Sequence, residues 1–479
     1  MEPPQPQMED GVRTGFPDVR TDSPEVRTDS PEVLKRRKDI VFKSKSFEPR
    51  ESLLTEMYEQ GGGATVAYNF LSGIFVLMFL RALTDDVFTH GMPFHHLWLV
   101  WWNFEQIPST MLVWSLMFMS TFIPYTVFKY WAHAPHKNVT AVNQTPLIVL
   151  YLLYLIAFFF FPLRFLFQTG LHCACSFIIT CETTRIAMKV HSFIRENVSR
   201  GVAMKESGTV FQPGETSNWP SVEQFVYYLF CPSFIYRDEY PRTESTDWSR
   251  VRSHFIHVLV LIEFVNLIYT QMIIPWLATI NLKTISTSDA ILAIFTGMPG
   301  GFICLLCLFY GLLHSWLNAF SEILRFADRR FYANWWSSNN MAEYYRNWNL
   351  VVHDWLYAYI YRDVATLIGG RKGLQVAQSA VFFASAVIHE YWFGVALRIF
   401  YPIMFMLYFV FGGIFFAVSR FITNKSVWNA ALWFNLMIGT GMWMALYGQE
   451  WYARKECLPF QSPIVDILTP RHWTCQTMA

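Results

Sequence analysis

The stretch SAVIHEYWFGVAL, Ser385 to Leu397, sets a histidine and a glutamate side by side within an apolar run. A charged side chain at bilayer depth costs roughly 2.5 to 3.5 kcal/mol on insertion scales, so an ionisable residue there is a functional candidate by default. Depth favours the neutral imidazole, the form able to accept a proton, which makes His389 a candidate general base. A histidine hydrogen-bonded inside a helix bundle is the structural reading of equal weight. On a helix Glu390 is turned about 100° from its neighbour, so it is expected to pair with another helix in a structural role. HEYWF lacks the second histidine, four residues on, that a zinc-binding helix carries. No metal site is expected.

A second unusual stretch runs from Arg325 to Val364, RFADRRFYANWWSSNNMAEYYRNWNLVVHDWLYAYIYRDV. It sets Trp335, Trp336, Trp348 and Trp355 among Arg346, Asn349, His353 and Asp354. It is too polar to span a membrane and too aromatic for a free loop, so it reads as chain lying at or below headgroup level. A plain interfacial anchor is the simpler alternative. Competing chemistries lack their motifs: the sequence has no GxSxG elbow, no GxxxxGK[ST] phosphate loop and no HxxxxD pair.

The elements that must position these residues are membrane helices. Of 479 residues 53% are apolar, 18% aromatic and only 15% charged, which describes an all-α polytopic membrane protein. A net charge of +1 argues against nucleic acid as a partner. Nine spans of sufficient length are expected, over 64–83, 110–131, 146–163, 170–189, 254–279, 289–320, 374–397, 402–420 and 428–448. Ahead of them lie a polar tail over 1–45, carrying an imperfect heptapeptide repeat from Val12 to Glu32 that is expected to be disordered, and an amphipathic juxtamembrane segment over 46–63. A membrane domain over 64–450 and a polar tail over 451–479 follow. No cleavable signal peptide is evident, so the first span is expected to direct insertion.

Lys and Arg cluster in alternate loops, which places the N-terminus in the cytosol and, with nine spans, the C-terminus in a lumen. The sequons at Asn138, Asn143, Asn197 and Asn424 then lie on the cytosolic side and stay unglycosylated. If the tail faces an oxidising lumen, Cys457 and Cys475 form a disulfide. The other six cysteines, Cys173, Cys175, Cys181, Cys231, Cys304 and Cys307, read as packing residues.

With MKVHSFIRENV (188 to 198), FIYRDEYPR (234 to 242), HSWLNAFSEILRFADRRFY (314 to 332), YYRNWNLVVHDWLY (344 to 357), AVIHEY (386 to 391) and the terminal QEWYARKEC and PRHWTC, the chain resembles the membrane-bound O-acyltransferases, most closely their sterol O-acyltransferase branch. The similarity runs from about Lys45 to the C-terminus. It implies a membrane domain enclosing a reaction chamber, in the endoplasmic reticulum, that transfers a long-chain acyl group from acyl-CoA to the 3-hydroxyl of a sterol. Acyl-CoA is then a co-substrate, no cofactor is required, and assembly as a homodimer or homotetramer is implied. The family's catalytic histidine and asparagine match His389 and Asn349, and its acyl-CoA path matches Tyr345, Arg346, Trp348, His353, Tyr361 and Ser385. The family motif FYxDWWN falls on Phe331, Tyr332, Asn334, Trp335 and Trp336, with Asn334 in place of the acid and Ser337 in place of the last asparagine. An amide there keeps part of any hydrogen bonding but loses its charge-assisted component. Acylation of diacylglycerol or a long-chain alcohol is the alternative within the enzyme class; a transporter and a sterol-binding receptor are the alternatives outside it.

Overall fold

The computed structural model describes residues 42–134, 144–206, 219–280 and 285–475. The heptapeptide repeat, Asn138 and Asn143 lie outside the described residues. Among the described residues the regular structure is helical, apart from two isolated bridges, Arg50 to Asp328 and Arg242 to Phe326. A short helix α1 (Leu53–Gln60) precedes α2 (Gly63–His90), the broken helical run α3 (His95–His133), α4 (Thr145–Thr169) and α5 (Cys173–Glu206). After α6 (Val222–Phe230) come α7 (Trp248–Ala278) and α8 (Thr287–Ile323). The signature segment folds into α9 (Met341–Trp348) and α10 (Leu350–Leu356). The chain closes with α11 (Gly370–Leu397), α12 (Ile403–Phe421), α13 (Lys425–Glu456) and the short α14 (Pro463–Leu468).

Eight of these helices, α2, α3, α4, α7, α8, α11, α12 and α13, are long and apolar enough to cross a bilayer. The expected span 170–189 is the exception. It forms the first part of α5, a 34-residue helix bearing Glu182, Arg185 and Lys189, and it is wrapped by other helices instead of lipid. Its charges are accommodated because each meets a partner. Glu182 accepts from Arg185 Nε at 2.6 Å and from Trp114 Nε1 at 2.6 Å, and Lys189 donates to the carbonyls of Tyr228, Cys231 and Ser233 at 2.6 to 2.8 Å. The polar stripe 182, 185, 189, 192, 196 recurs every three to four residues, so it occupies one face.

Other boundaries shift for local reasons. Helix α4 runs through PLRFLFQTG, tolerating Pro162, and ends where Gly170 takes a left-handed φ of 65° that an L side chain resists. The stretch 84–109, between the first two expected spans, is largely helical, and α13 continues six residues past 450, to Glu456. The juxtamembrane segment holds α1, and its first part lies extended against residues 325–330. Helices α8 and α13 pack backbone to backbone: a Cβ at Gly301 would stand 2.7 Å from the carbonyl oxygen of Thr440.

Candidate active site

His389 sits in α11 with its ring stacked on Tyr408, centroids 4.2 Å apart, and tilted against Trp392 at 4.9 Å. Tyr408 comes from a π-helical turn, Met406–Phe411, a distortion that occurs often at functional sites. Trp392 is pinned by its Nε1, which donates to Thr184 Oγ1 of α5 at 3.0 Å. Nδ1 of His389 lies 2.7 Å from the carbonyl oxygen of Ser385. A carbonyl only accepts, so Nδ1 carries the proton and Nε2 keeps its lone pair. Nε2 bonds to none of the described residues, nor is it sealed in packed protein. The ring is thus held in the tautomer and orientation a general base requires.

Glu390 does something different. Its oxygens accept from the Tyr447 hydroxyl of α13 at 2.9 and 3.1 Å and from the Phe405 backbone N–H at 3.1 Å. It ties α11, α12 and α13 together beside the histidine, the structural role expected of it.

Asn349 sits at the joint between α9 and α10. Its Oδ1 caps α10 by accepting from Val352 N–H at 3.1 Å, which leaves the Nδ2 donor uncommitted among the described residues. The joint is fixed from behind by the aromatic motif. Ala333 N–H donates to the Asn347 carbonyl, and Leu350 N–H donates to the Phe331 carbonyl, each at 2.8 Å. Phe331, Tyr332 and Trp335 are buried, and Trp335 lies among Phe309, Trp336, Trp348 and Trp433. The Tyr332 hydroxyl lies 2.8 Å from His314 Nδ1 and 2.9 Å from Ser52 Oγ. Asn334 and Ser337, by contrast, are exposed, and Asn334 makes no side-chain bond among the described residues. The motif works through its aromatic rings, so the missing acid takes no structural bond with it.

The elements bearing Asn349 and His389 meet through Tyr345. Its ring packs edge-on against Phe382 of α11 at 4.8 Å, two turns before His389, and a Cβ on Gly412 of α12 would stand 3.0 Å from its hydroxyl. Ser385 supplies the carbonyl that orients His389. Arg346, at the end of α9, makes no ion pair among the described residues, so its guanidinium is uncommitted. Burial pushes the phenols of Tyr344 and Tyr345 up, so neither supplies an anion near neutral pH. Tyr361 and His353 lie on another side: Tyr361 packs edge-on against Phe42 at 6.4 Å, and His353 stacks parallel to Tyr357.

Sequence reasoning missed two supports. One is the polar face of α5, where Trp355 Nε1 donates to the Met188 carbonyl at 3.0 Å and the Tyr359 hydroxyl donates to Glu196 at 2.9 Å. The heptad-like stripe was the signal for it. The other is the segment before α1. Arg50 forks onto Asp328 at 2.8 to 3.1 Å, Arg330 reaches Glu56 at 2.9 Å, and Lys45 meets Asp354 at 2.8 Å. Burial opposes ionisation of Asp354, but the bond from His353 and the Lys45 ammonium outweigh it and hold this carboxyl below its ordinary range. In the terminal tail Cys457 and Cys475 are joined, with Cα atoms 5.3 Å apart. The six other cysteines are free thiols, and the described residues contain no cluster of three or more metal-ligating side chains. Asn197 is buried, its amide bonded to the Phe193 carbonyl, and Asn424 caps α13.

Comparison with known proteins matches residues 97–449 to the membrane-bound O-acyltransferase family. Sterol O-acyltransferase 1 of Cricetulus griseus is 36% identical over 442 residues, covering 91% of this chain and 79% of its own. Sterol O-acyltransferase 2 of Homo sapiens is 36% identical over 437 residues, covering 91% and 81%, and its Mus musculus counterpart is 36% identical over 434 residues, covering 90% and 81%. The chain belongs to the membrane-bound O-acyltransferase family.

Proposed function

We propose that this acyltransferase moves a long-chain fatty acyl group from acyl-CoA to the 3-hydroxyl of a sterol, releasing CoA. The observation that carries the reading is the His389 tautomer: a proton on Nδ1, held by the Ser385 carbonyl, and a lone pair on Nε2 at membrane depth. A sterol sits in the bilayer while the CoA headgroup stays in water, so hydroxyl and thioester must meet inside protein. His389 Nε2 takes the hydroxyl proton as the oxygen bonds to the acyl carbon. The carbonyl oxygen becomes an oxyanion, which Asn349 Nδ2, or water it positions, stabilises. The C–S bond then breaks, and the thiolate, with a parent pKa near 8.5, leaves with little acid help. Arg346 and neighbouring cytosolic basic groups take the CoA phosphates. Tyr345, Trp348, His353, Tyr361 and Ser385 border the acyl-CoA path.

The names of the relatives support sterol as acceptor. The Cys457–Cys475 bond supports a C-terminus in the lumen of the endoplasmic reticulum with the N-terminus cytosolic, an orientation that needs an odd number of crossings and so has α5, wrapped by the other helices, cross as a ninth. Assembly as a homodimer or homotetramer is part of the same proposal. Membranes containing the chain are to be assayed with labelled oleoyl-CoA against cholesterol, a plant sterol, diacylglycerol and a fatty alcohol. Ester formed on a sterol at least tenfold faster than on the other two acceptors supports the reading. Preference for diacylglycerol or the alcohol overturns it.

A further inference from the structure

On the membrane face opposite the signature segment, where α7 ends and α8 begins, the structure holds a cavity of about 330 Å³. That volume suits a small ligand or a lipid headgroup. Its walls include Trp276, Ile280, Asp289, Leu292, Thr296 and Gln449. Two of these residues point to an occupant. Gln449 is 2% exposed and lines the cavity, where its amide atoms remain accessible and bond to none of the described residues. Its donors and acceptor are therefore met from within the cavity, by water or by a ligand's polar head. Asp289 gives Oδ2 to the N–H and hydroxyl of Ser286 at 3.0 and 2.7 Å, and its Oδ1 is uncommitted among the described residues.

The chemistry of the walls narrows the ligand. None of the lining residues is basic, so an anionic head would meet only the Asp289 carboxylate. A carboxylate and an indole lining one cavity suit an alkylammonium group, which Trp binds by cation–π attraction. Leu292, 61% exposed on the outer surface of α8, continues the site toward the hydrocarbon, where an acyl chain can lie. We infer that this cavity seats the ammonium headgroup of a zwitterionic phospholipid from the adjoining leaflet, with Gln449 donating to its phosphate or ester oxygens. The site is separate from His389 and stands whether or not the acceptor is a sterol.

The test uses the full chain in nanodiscs and diazirine-bearing phosphatidylcholine, with phosphatidylglycerol of the same chains as control. Photolabel is expected on Trp276 to Ile280, Ile285 to Thr296 and around Gln449, about two- to fivefold stronger with the choline lipid, a ratio that one exposed cation contact supports. Asp289→Asn retains a helix-capping side chain and should bring the two lipids toward equal labelling. Ala293→Trp, which fills the cavity, should remove the label, with intact folding checked by thermal melting. Equal labelling by both lipids in the unaltered chain overturns the inference, as does label that survives Ala293→Trp. Millimolar free choline, which carries the same ammonium, should lower the label, and label unchanged by choline overturns the headgroup as the part that is held.

Discussion

Two histidines, both within apolar helices, divide the molecule into a part that reacts and a part that holds. His96 has both ring nitrogens engaged: Nδ1 with Asp86, and Nε2 with Glu263 at 3.0 Å. Its backbone N–H also donates to Asp86, and its carbonyl accepts from Asn266, so α2, α3 and α7 are knotted at one point. His389 has one nitrogen engaged, with a carbonyl, and the other open. The first imidazole has no capacity left for a substrate; the second has one lone pair and nothing among the described residues to use it. The same residue type, near the end of one helical run and well inside another, therefore serves different ends, and the partner of the second nitrogen tells them apart. His314 resembles His96 in being walled in, with Nδ1 against Tyr332 and Ser52.

Removing each side chain should break the two in opposite ways. His389→Ala should lower esterification by about 10²- to 10⁴-fold, the usual share of a general base, with the melting temperature of the purified protein nearly unchanged. His96→Ala should cost about 3 kcal/mol of stability, because the buried Asp86 and the half-buried Glu263 lose their shared partner, while turnover per folded molecule persists. Denaturation and activity measured on the same preparation separate the cases. Asn349→Ala should add about 2 to 4 kcal/mol to the barrier. It also removes the cap of α10, worth about 1 kcal/mol. Asn349→Asp keeps the cap and loses only the donor, so activity should fall with stability retained. At the small end, Lys45→Ala removes a partly exposed pair and should cost no more than about 1 kcal/mol. Asp354 has a folded pKa below its unfolded value, so its contribution is whole above about pH 4 and fades as pH falls through the lower value; the melting temperature should be flat between about pH 6 and 8. Asn334→Asp should leave activity equal or slightly higher, because the side chain faces solvent.

What could be read in advance follows the physics of each signal. Long apolar runs announced the eight helices that are long and apolar enough to cross because hydropathy is additive along the chain. The segment 170–189 was counted with the apolar spans because a helix clothed by its own protein can be apolar enough to count and still carry Glu182, Arg185 and Lys189. His389 stood out because a titratable group in an apolar run is costly, whereas the openness of its Nε2 depends on Tyr408 and Trp392, placed by folding. The π-helical turns at Phe309–Trp316, Tyr357–Tyr361 and Met406–Phe411 left no sequence signal, since their extra residue per turn is imposed by packing. The clasp between Lys45 to Ser52 and Asp328 to Asp354 joins residues nearly three hundred positions apart, beyond any local pattern.

The central claim is that His389 Nε2 and Asn349 Nδ2 face one reacting carbonyl. An experimental structure of the full chain with a non-hydrolysable acyl-CoA analogue tests it directly. The account predicts the analogue's carbonyl oxygen about 3 Å from Asn349 Nδ2 or from a water it holds, with its acyl carbon one hydroxyl's width from His389 Nε2. An analogue whose carbonyl lies in a space closed off from either side chain would contradict it.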